Sequence, residues 1–351
     1  MLSMAADRWS ISFFYDKPDE NFDIADLQCP APGKCIAAGA LDREGKLSPH
    51  AVVSTDSGLH WAAVPIPEVP ISLFFLNANT AWLVAEKALW HSLDGGTTWK
   101  KLASERNIER VYFLDANRGF AVGDKGTLLE TANGGVKWTA IRSLQGLTAQ
   151  PGEIAFDWIF FNDPRNGVVI GEVVPQGGDR LPPWLDPQRF RGHSPRSTIL
   201  VGRTSDGGAS WKFSSIQRRD TLVDVRVAER ALWFFFQPAG TGTESEIARC
   251  DWDSDSLVPL VSDSSSLLTD AVSSGKMIYV AAVARQGRLM EVPIPGKLRV
   301  FAGPDFDHMS PMAVDYRAVA LATRFAIGSS GSPLLATDTG MILRLAWQPD
   351  K

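Results

Sequence analysis

The sequence has no run of 18 or more apolar residues, so no part of it reads as a membrane-spanning helix. It has no basic excess: 35 Lys and Arg stand against 40 Asp and Glu, for a formal charge of −5. That balance excludes a nucleic-acid surface as its main business. Histidines number five and form no metal-ligand phrase, and the three cysteines lack zinc-ribbon spacing, so neither a metal nor a cofactor is expected. Phosphate loops and Ser-His-Asp phrases are missing as well. The start, "MLSMAADRW", has no basic segment followed by an apolar stretch, so no secretory leader is expected there. No stretch shows convincing helical periodicity.

What the chain does have is a 44% hydrophobic, 21% charged composition, enough for a sizeable core, and a phrase it keeps repeating. "STDSGLHW" ends at Trp61, "SLDGGTTW" at Trp99, "TANGGVKW" at Trp138 and "TSDGGASW" at Trp211. Asp56, Asp94 and Asn133 follow one another at 38 and 39 residues, and Asp206 comes 73 later, close to two periods. Within each period lie four short apolar runs separated by turn residues. Four strands every ~40 residues is the pattern of a propeller blade.

On that template the fold class is all-β: a seven-bladed β-propeller of four-stranded antiparallel blades, A to D from the inside out. The blades are expected at 22–66, 68–104, 107–144, 150–217, 221–262, 267–303 and 310–348, with "MAVDYRAVALA" as the inner strand of the last. That blade is one strand short, while "DRWSISFFYD" reads like the outer strands after Trp99 and Trp138. Residues 8–15 are therefore predicted to close the ring by completing blade 7, which removes two sheet edges.

In the repeated phrase the Asp or Asn accepts backbone N–H groups across the turn. Gly supplies a positive φ, and Trp pins the hairpin while offering a ring N–H. The plain reading of all four is a structural staple. These residues resemble the Asp-box (BNR) repeat, with a fifth trace in "ATDTG", Asp338–Gly340. The longer phrases "VYFLDANRGFAVGDKGTLLETANGGVKW" and "FFNDPRNGVVIGE" resemble the photosystem II stability/assembly factor family of propellers. The likeness covers about residues 20–215 well and the rest by rhythm only. It implies a propeller, a non-catalytic scaffold and a protein partner. Asp-box proteins are commonly exported, an implication at odds with the missing leader. Asp-box folds also host sialidases and other glycosidases, so carbohydrate is the alternative ligand.

Strand direction alternates, so the repeated C–D turns lie on one face and anything inserted between B and C projects from the other. Blade 4 carries such an insertion, residues 172–197, with Arg180, Trp184, Arg189 and Arg191 among four arginines and three carboxylates. Arginine and aromatic residues are enriched where partners bind. With Arg218 and Arg219, from the blade 4–5 connection on the same face, they form the expected partner site. The bland reading is a lid packed over the channel.

Near the start of the inner strands stand Asp26, Glu109, Asp157, Asp224, Asp270 and Asp315. An acidic ring at a channel mouth would suit a hard cation or a glycosidase pair. The competing reading is that each satisfies backbone N–H groups where blades meet. A sialidase also needs a tyrosine nucleophile beside a glutamate and an "FRIP"-type arginine phrase, which the sequence lacks. Cys29 and Cys35, in "QCPAPGKC", are either a disulfide across a short turn, placing the protein in an oxidising compartment, or two buried thiols.

Overall fold

The computed structural model describes residues 8–103, 107–174, 197–228, 231–238, 244–285, 288–289, 292–328 and 331–346. Seven sheets of four or five strands succeed one another around a central channel, making a seven-bladed propeller. Blade 1 sets the pattern, stepping outward through Asn21–Ala31, Lys34–Arg43, Lys46–Ser54 and Ala62–Val64. The inner strands of blades 2 to 6 are Pro70–Phe75, Ile108–Phe113, Ile154–Phe161, Thr221–Ala228 and Ser266–Ser274.

Second strands are covered on both sides by neighbouring blades, so they read as continuous apolar runs. Ala81–Ala85 and Gly119–Gly123 are buried at every residue. Contact between blades is largely aromatic. Trp82 of blade 2 stacks on Phe113 of blade 3 with centroids 3.7 Å apart, and Phe120 of blade 3 meets Phe161 of blade 4 at 4.9 Å. Each such side chain taken from water contributes about 1.5–3 kcal/mol. The glycines opposite these rings have a steric cause: a Cβ on Gly119 would lie 2.4 Å from the Phe113 ring, and one on Gly167 2.7 Å from Phe161.

The ring closes through the N-terminal strand. Arg8–Phe14 pairs antiparallel with Met341–Ala346, placing Trp9 opposite Leu345 and Ile11 opposite Leu343. Trp9 is fully buried, edge-on to Tyr279 and Phe325.

Blade 7 departs from expectation in its inner strand. That strand is Thr323–Ile327, followed outward by Pro333–Thr337 and Met341–Ala346. The run "MAVDYRAVALA" instead skirts the outside of blades 6 and 7 and reaches the channel only at Leu321 and Ala322. Ala313–Val314 lies parallel beside Arg8–Trp9, and Val319–Ala320 pairs with Gly296–Lys297. "ATDTG" consequently falls between the second and third strands of blade 7, so it is not a counterpart of the four C–D turns.

Those four turns share one bonding scheme. The leading hydroxyl receives the N–H of the last glycine: Gly58 to Ser54 Oγ at 2.8 Å, Gly96 to Ser92 Oγ at 2.8 Å, Gly135 to Thr131 Oγ1 at 3.1 Å and Gly208 to Thr204 Oγ1 at 2.8 Å. The Asp or Asn then accepts the N–H four residues on, as Asp94 does from Thr98 at 2.8 Å and Asn133 from Lys137 at 2.9 Å. Trp99 and Trp211 each donate their ring N–H to the glycine carbonyl at 3.1 Å. Across the first turn of blade 1, Cys29 and Cys35 are joined as a disulfide.

Candidate functional site

The channel encloses about 1880 Å³. One mouth is framed by starts of inner strands and ends of second strands, including Asp23, Asp42, Glu86, Asp124, Gln237 and Arg285. By strand direction this is the face of the B–C connections, to which Gly167–Val173 and Ser197–Thr204 deliver the two ends of the blade 4 insertion. The repeated C–D turns lie on the opposite face.

Deeper in the channel the inner strands carry a polar belt. Six of the seven contain a β-bulge at the same level, before Asp26, Ser72, Arg110, Trp158, Asp224 and Asp270. A bulge bends the strand and re-aims the next side chain, here toward the adjoining blade. Asp26 accepts the Leu73 N–H at 2.9 Å and Ser72 Oγ donates to the Glu109 carbonyl at 2.7 Å. Arg110 Nε donates to the Asp157 carbonyl at 2.9 Å, and Trp158 Nε1 to Asp224 Oδ1 at 3.1 Å. Arg226 holds Asp270 in a fork, with Nε–Oδ1 2.9 Å and Nη2–Oδ2 2.5 Å, and Asp270 also accepts the Phe325 N–H at 2.6 Å. Asn21 Nδ2 reaches the Asp338 carbonyl at 3.3 Å and so links blade 1 to blade 7. Every blade is tied to the next.

The belt corrects the acidic-ring expectation. Asp26, Asp224 and Asp270 are buried, and Arg110, Arg226 and Arg324 share their level. Arg324 pairs with Asp224, which also lies 3.3 Å from Arg226 Nε. Burial opposes the charge on Asp224, but Arg324 and Arg226 outweigh it and hold the carboxyl below its ordinary range. Glu109 and Asp157 line the same channel, each with interactions of its own. Asp315 stands apart from the belt: on the outer path around blade 7, its N–H bonds the Trp9 carbonyl at 2.9 Å and its carboxylate forks with Arg317 at 3.0 Å. Among the described residues no group of three His, Cys, Asp or Glu is disposed to hold a metal. The three arginines were missed in the sequence, although "VDVR" places Asp224 and Arg226 two apart, on one side of a strand.

Of the expected partner residues, Arg180, Trp184, Arg189 and Arg191 lie outside the described residues. Arg218 is committed within its own face: it bonds Asp220 at 2.9 Å and Glu246 at 3.0 Å, and lies 4.3 Å from the Phe236 ring centroid. Arg219 is exposed.

At the mouth Asp23 behaves differently from the belt. Burial, reinforced by Asp338 and Asp42, pushes its carboxyl up to about 7, and burial pushes Asp338 up to about 6. A raised carboxyl contributes its stability below the unfolded value near 4 and loses it as pH rises through the folded value. Asp23→Asn is therefore expected to raise the urea midpoint at pH 8 and to leave it nearly unchanged at pH 4. Equal shifts at both pH values would show that the charge on Asp23 carries no such cost.

A Tyr–Glu pair also exists, at the seam of the closing strand. Tyr15 Oη lies 2.5 Å from Glu20 Oε2, but burial and that bond push the phenol up to about 12, away from nucleophilic use. Neither residue lines the channel.

These features define a propeller whose inner polar groups clasp blade to blade and whose channel has acidic residues framing its mouth on the B–C face. No known sequence family matches the chain, nor does any curated protein. Among solved structures it resembles photosystem II assembly factors in fold. A structure described as YCF48 bound to D1 peptide superposes with a TM-score of 0.61 at 14% identity, over 97% of this chain and all of the other. YCF48 from Cyanidioschyzon merolae gives 0.60 at 14% identity, covering 97% and 98%. A GH74 xyloglucanase from Xanthomonas campestris gives 0.59 at 12% identity, and the chain spans 54% of that enzyme's length.

Proposed function

We propose that the protein is a non-catalytic binding propeller that holds a segment of a partner protein on the face where the channel opens. The observation that carries this reading is the state of the channel's charged belt: Asp26, Asp224 and Asp270 are each engaged in ties between blades, while one channel mouth lies on the face that receives both ends of the arginine-rich insertion. A protein segment is also what one structural neighbour holds, as its description states. Arg180, Trp184, Arg189, Arg191 and the exposed Arg219 would supply cationic and aromatic contacts to an acidic or extended segment.

A second reading, glycoside hydrolysis, is favoured by Asp23 alone. A carboxyl that keeps its proton near neutrality is what a general acid requires. One experiment separates the two. Wild type, Arg189→Glu/Arg191→Glu and Asp23→Asn are each used for affinity capture from native extract and assayed on a glycan panel that includes xyloglucan. The expected result is a partner retained by wild type and Asp23→Asn, lost at least tenfold from the double arginine variant, and no hydrolysis by any. Undiminished capture by the double variant would remove the insertion from the site. Hydrolysis abolished by Asp23→Asn would establish the enzyme.

A further inference from the structure

Arg285 stands at the channel mouth just past the blade 6 strand Met277–Ala284. Its Nε and Nη2 are both buried and have no hydrogen-bond partner among the described residues. These two nitrogens form one edge of the guanidinium, with parallel N–H groups spaced to match a carboxylate or phosphate. Other arginines of the chain use that edge on carboxylates, Arg249 bringing both nitrogens to one oxygen of Asp251. Arg226 sets Nε and Nη2 on Asp270 in the belt, and Arg317 sets the same pair on Asp315 at the surface. Among the described residues Arg285 presents the same fork to no partner.

Leaving a buried charged donor unsatisfied is costly, and natural structures contain few such groups. No carboxylate among the described residues of the channel is paired with it. Of the raised carboxyls at the mouth, Asp23 owes its shift to burial, Asp338 and Asp42, and Asp338 owes its shift to burial; Arg285 is among the causes of neither. The channel beside Arg285 has room for a small anion, and rotation of a long side chain is fast enough to turn the edge to the lumen.

We infer that Arg285 is the anchor of an oxyanion subsite at the channel mouth, taking a carboxylate or phosphate group in a two-bond fork. The site stands on the unpaired fork and does not depend on what the wider face binds.

The test is thermal unfolding of the full chain in chloride, acetate or inorganic phosphate at fixed pH and ionic strength, for wild type, Arg285→Met and Arg285→Lys. A ligand that binds only the folded state raises the midpoint in a saturable manner. Wild type is expected to show a saturable rise of several degrees in acetate, in phosphate, or in both, and the preferred anion distinguishes the two sources. Arg285→Met, which keeps the length and removes the charge, should melt higher than wild type in chloride and lose the anion response. Arg285→Lys should lose most of the response while keeping the charge. Anion-independent melting of wild type would overturn the site. An unchanged anion response in Arg285→Met would do the same, and so would a lower midpoint of Arg285→Met in chloride, which would show the guanidinium to be already paired.

Discussion

A chain lacking residues 8–14 should aggregate. Those residues form the outer strand of blade 7, and without them the Met341–Ala346 strand presents unpaired N–H and C=O groups at a sheet edge. The loss is also one of packing. Trp9 is fully buried, edge-on to Tyr279 at 6.0 Å and to Phe325 at 5.7 Å, and Leu343 and Met341 belong to the same cluster. Trp9→Ala alone is expected to cost about 3–5 kcal/mol, since a large core side chain removed leaves a cavity that neighbours fill only partly. Light scattering and thermal unfolding read both effects. A monodisperse truncated chain with an unchanged melting point would show that the ring does not depend on this strand. Partial recovery on adding a peptide of residues 8–16 would locate the defect at the vacated edge.

The second large effect is expected in the belt. Asp270→Ala removes the carboxylate that Arg226 grips in a fork and that also receives the Phe325 and Ala271 N–H groups. Breaking one partner of a buried ion pair costs about 3–5 kcal/mol, because the remaining charge is left without its counterpart. Asp224, 3.3 Å from Arg226, keeps part of the arginine's environment and places the expected loss toward the lower figure. Arg226→Met/Asp270→Leu should recover much of it, and a double-mutant cycle in urea would measure the coupling. Equal losses in the single and double variants would instead assign the effect to the backbone contacts. Acid should act on the same belt. Asp224 is held below its ordinary range, so its contribution is complete above the unfolded value near 4 and fades as pH falls through the lower folded value.

The architecture was legible because four turns spell out the period, and each residue of the phrase has its own bond to make. Hydroxyl, Asp or Asn, and Gly recur at Ser54, Asp56 and Gly58 and at Thr204, Asp206 and Gly208 because the hairpin needs all three. The closing strand was legible from its surplus: an apolar Trp-led run with no blade of its own. Blade 7 was misread because strand-like apolarity does not say which blade a strand joins. "MAVDYRAVALA" is apolar enough to be an inner strand, yet only Ala313–Val314 and Val319–Ala320 pair, both at edges. Asp315 was carried out of the belt by that misplacement. The belt's arginines escaped for a different reason. Arg110, Arg226 and Arg324 stand in unrelated phrases; the bulge register brings the first two to one level with Asp26, Asp224 and Asp270, and Arg324 joins them from the bulge-free inner strand of blade 7. A bulge leaves no mark in the sequence. Arg285 is an isolated charge at the end of a strand, and what distinguishes it is that its guanidinium edge has no partner among the described residues, which only the fold reveals.

Closure by the first strand also has a consequence for synthesis. Ser12 donates to the Ile342 carbonyl across 330 residues of chain. At translation rates of about 5–20 residues per second, roughly twenty seconds to a minute separates the emergence of these two partners from the ribosome. During that interval blades 1 to 6 can assemble in order, while the apolar segment from Trp9 to Phe14 waits unpaired. The propeller's earliest-made strand is thus the last to find its place, and it stays open to misassociation until Met341–Ala346 has emerged.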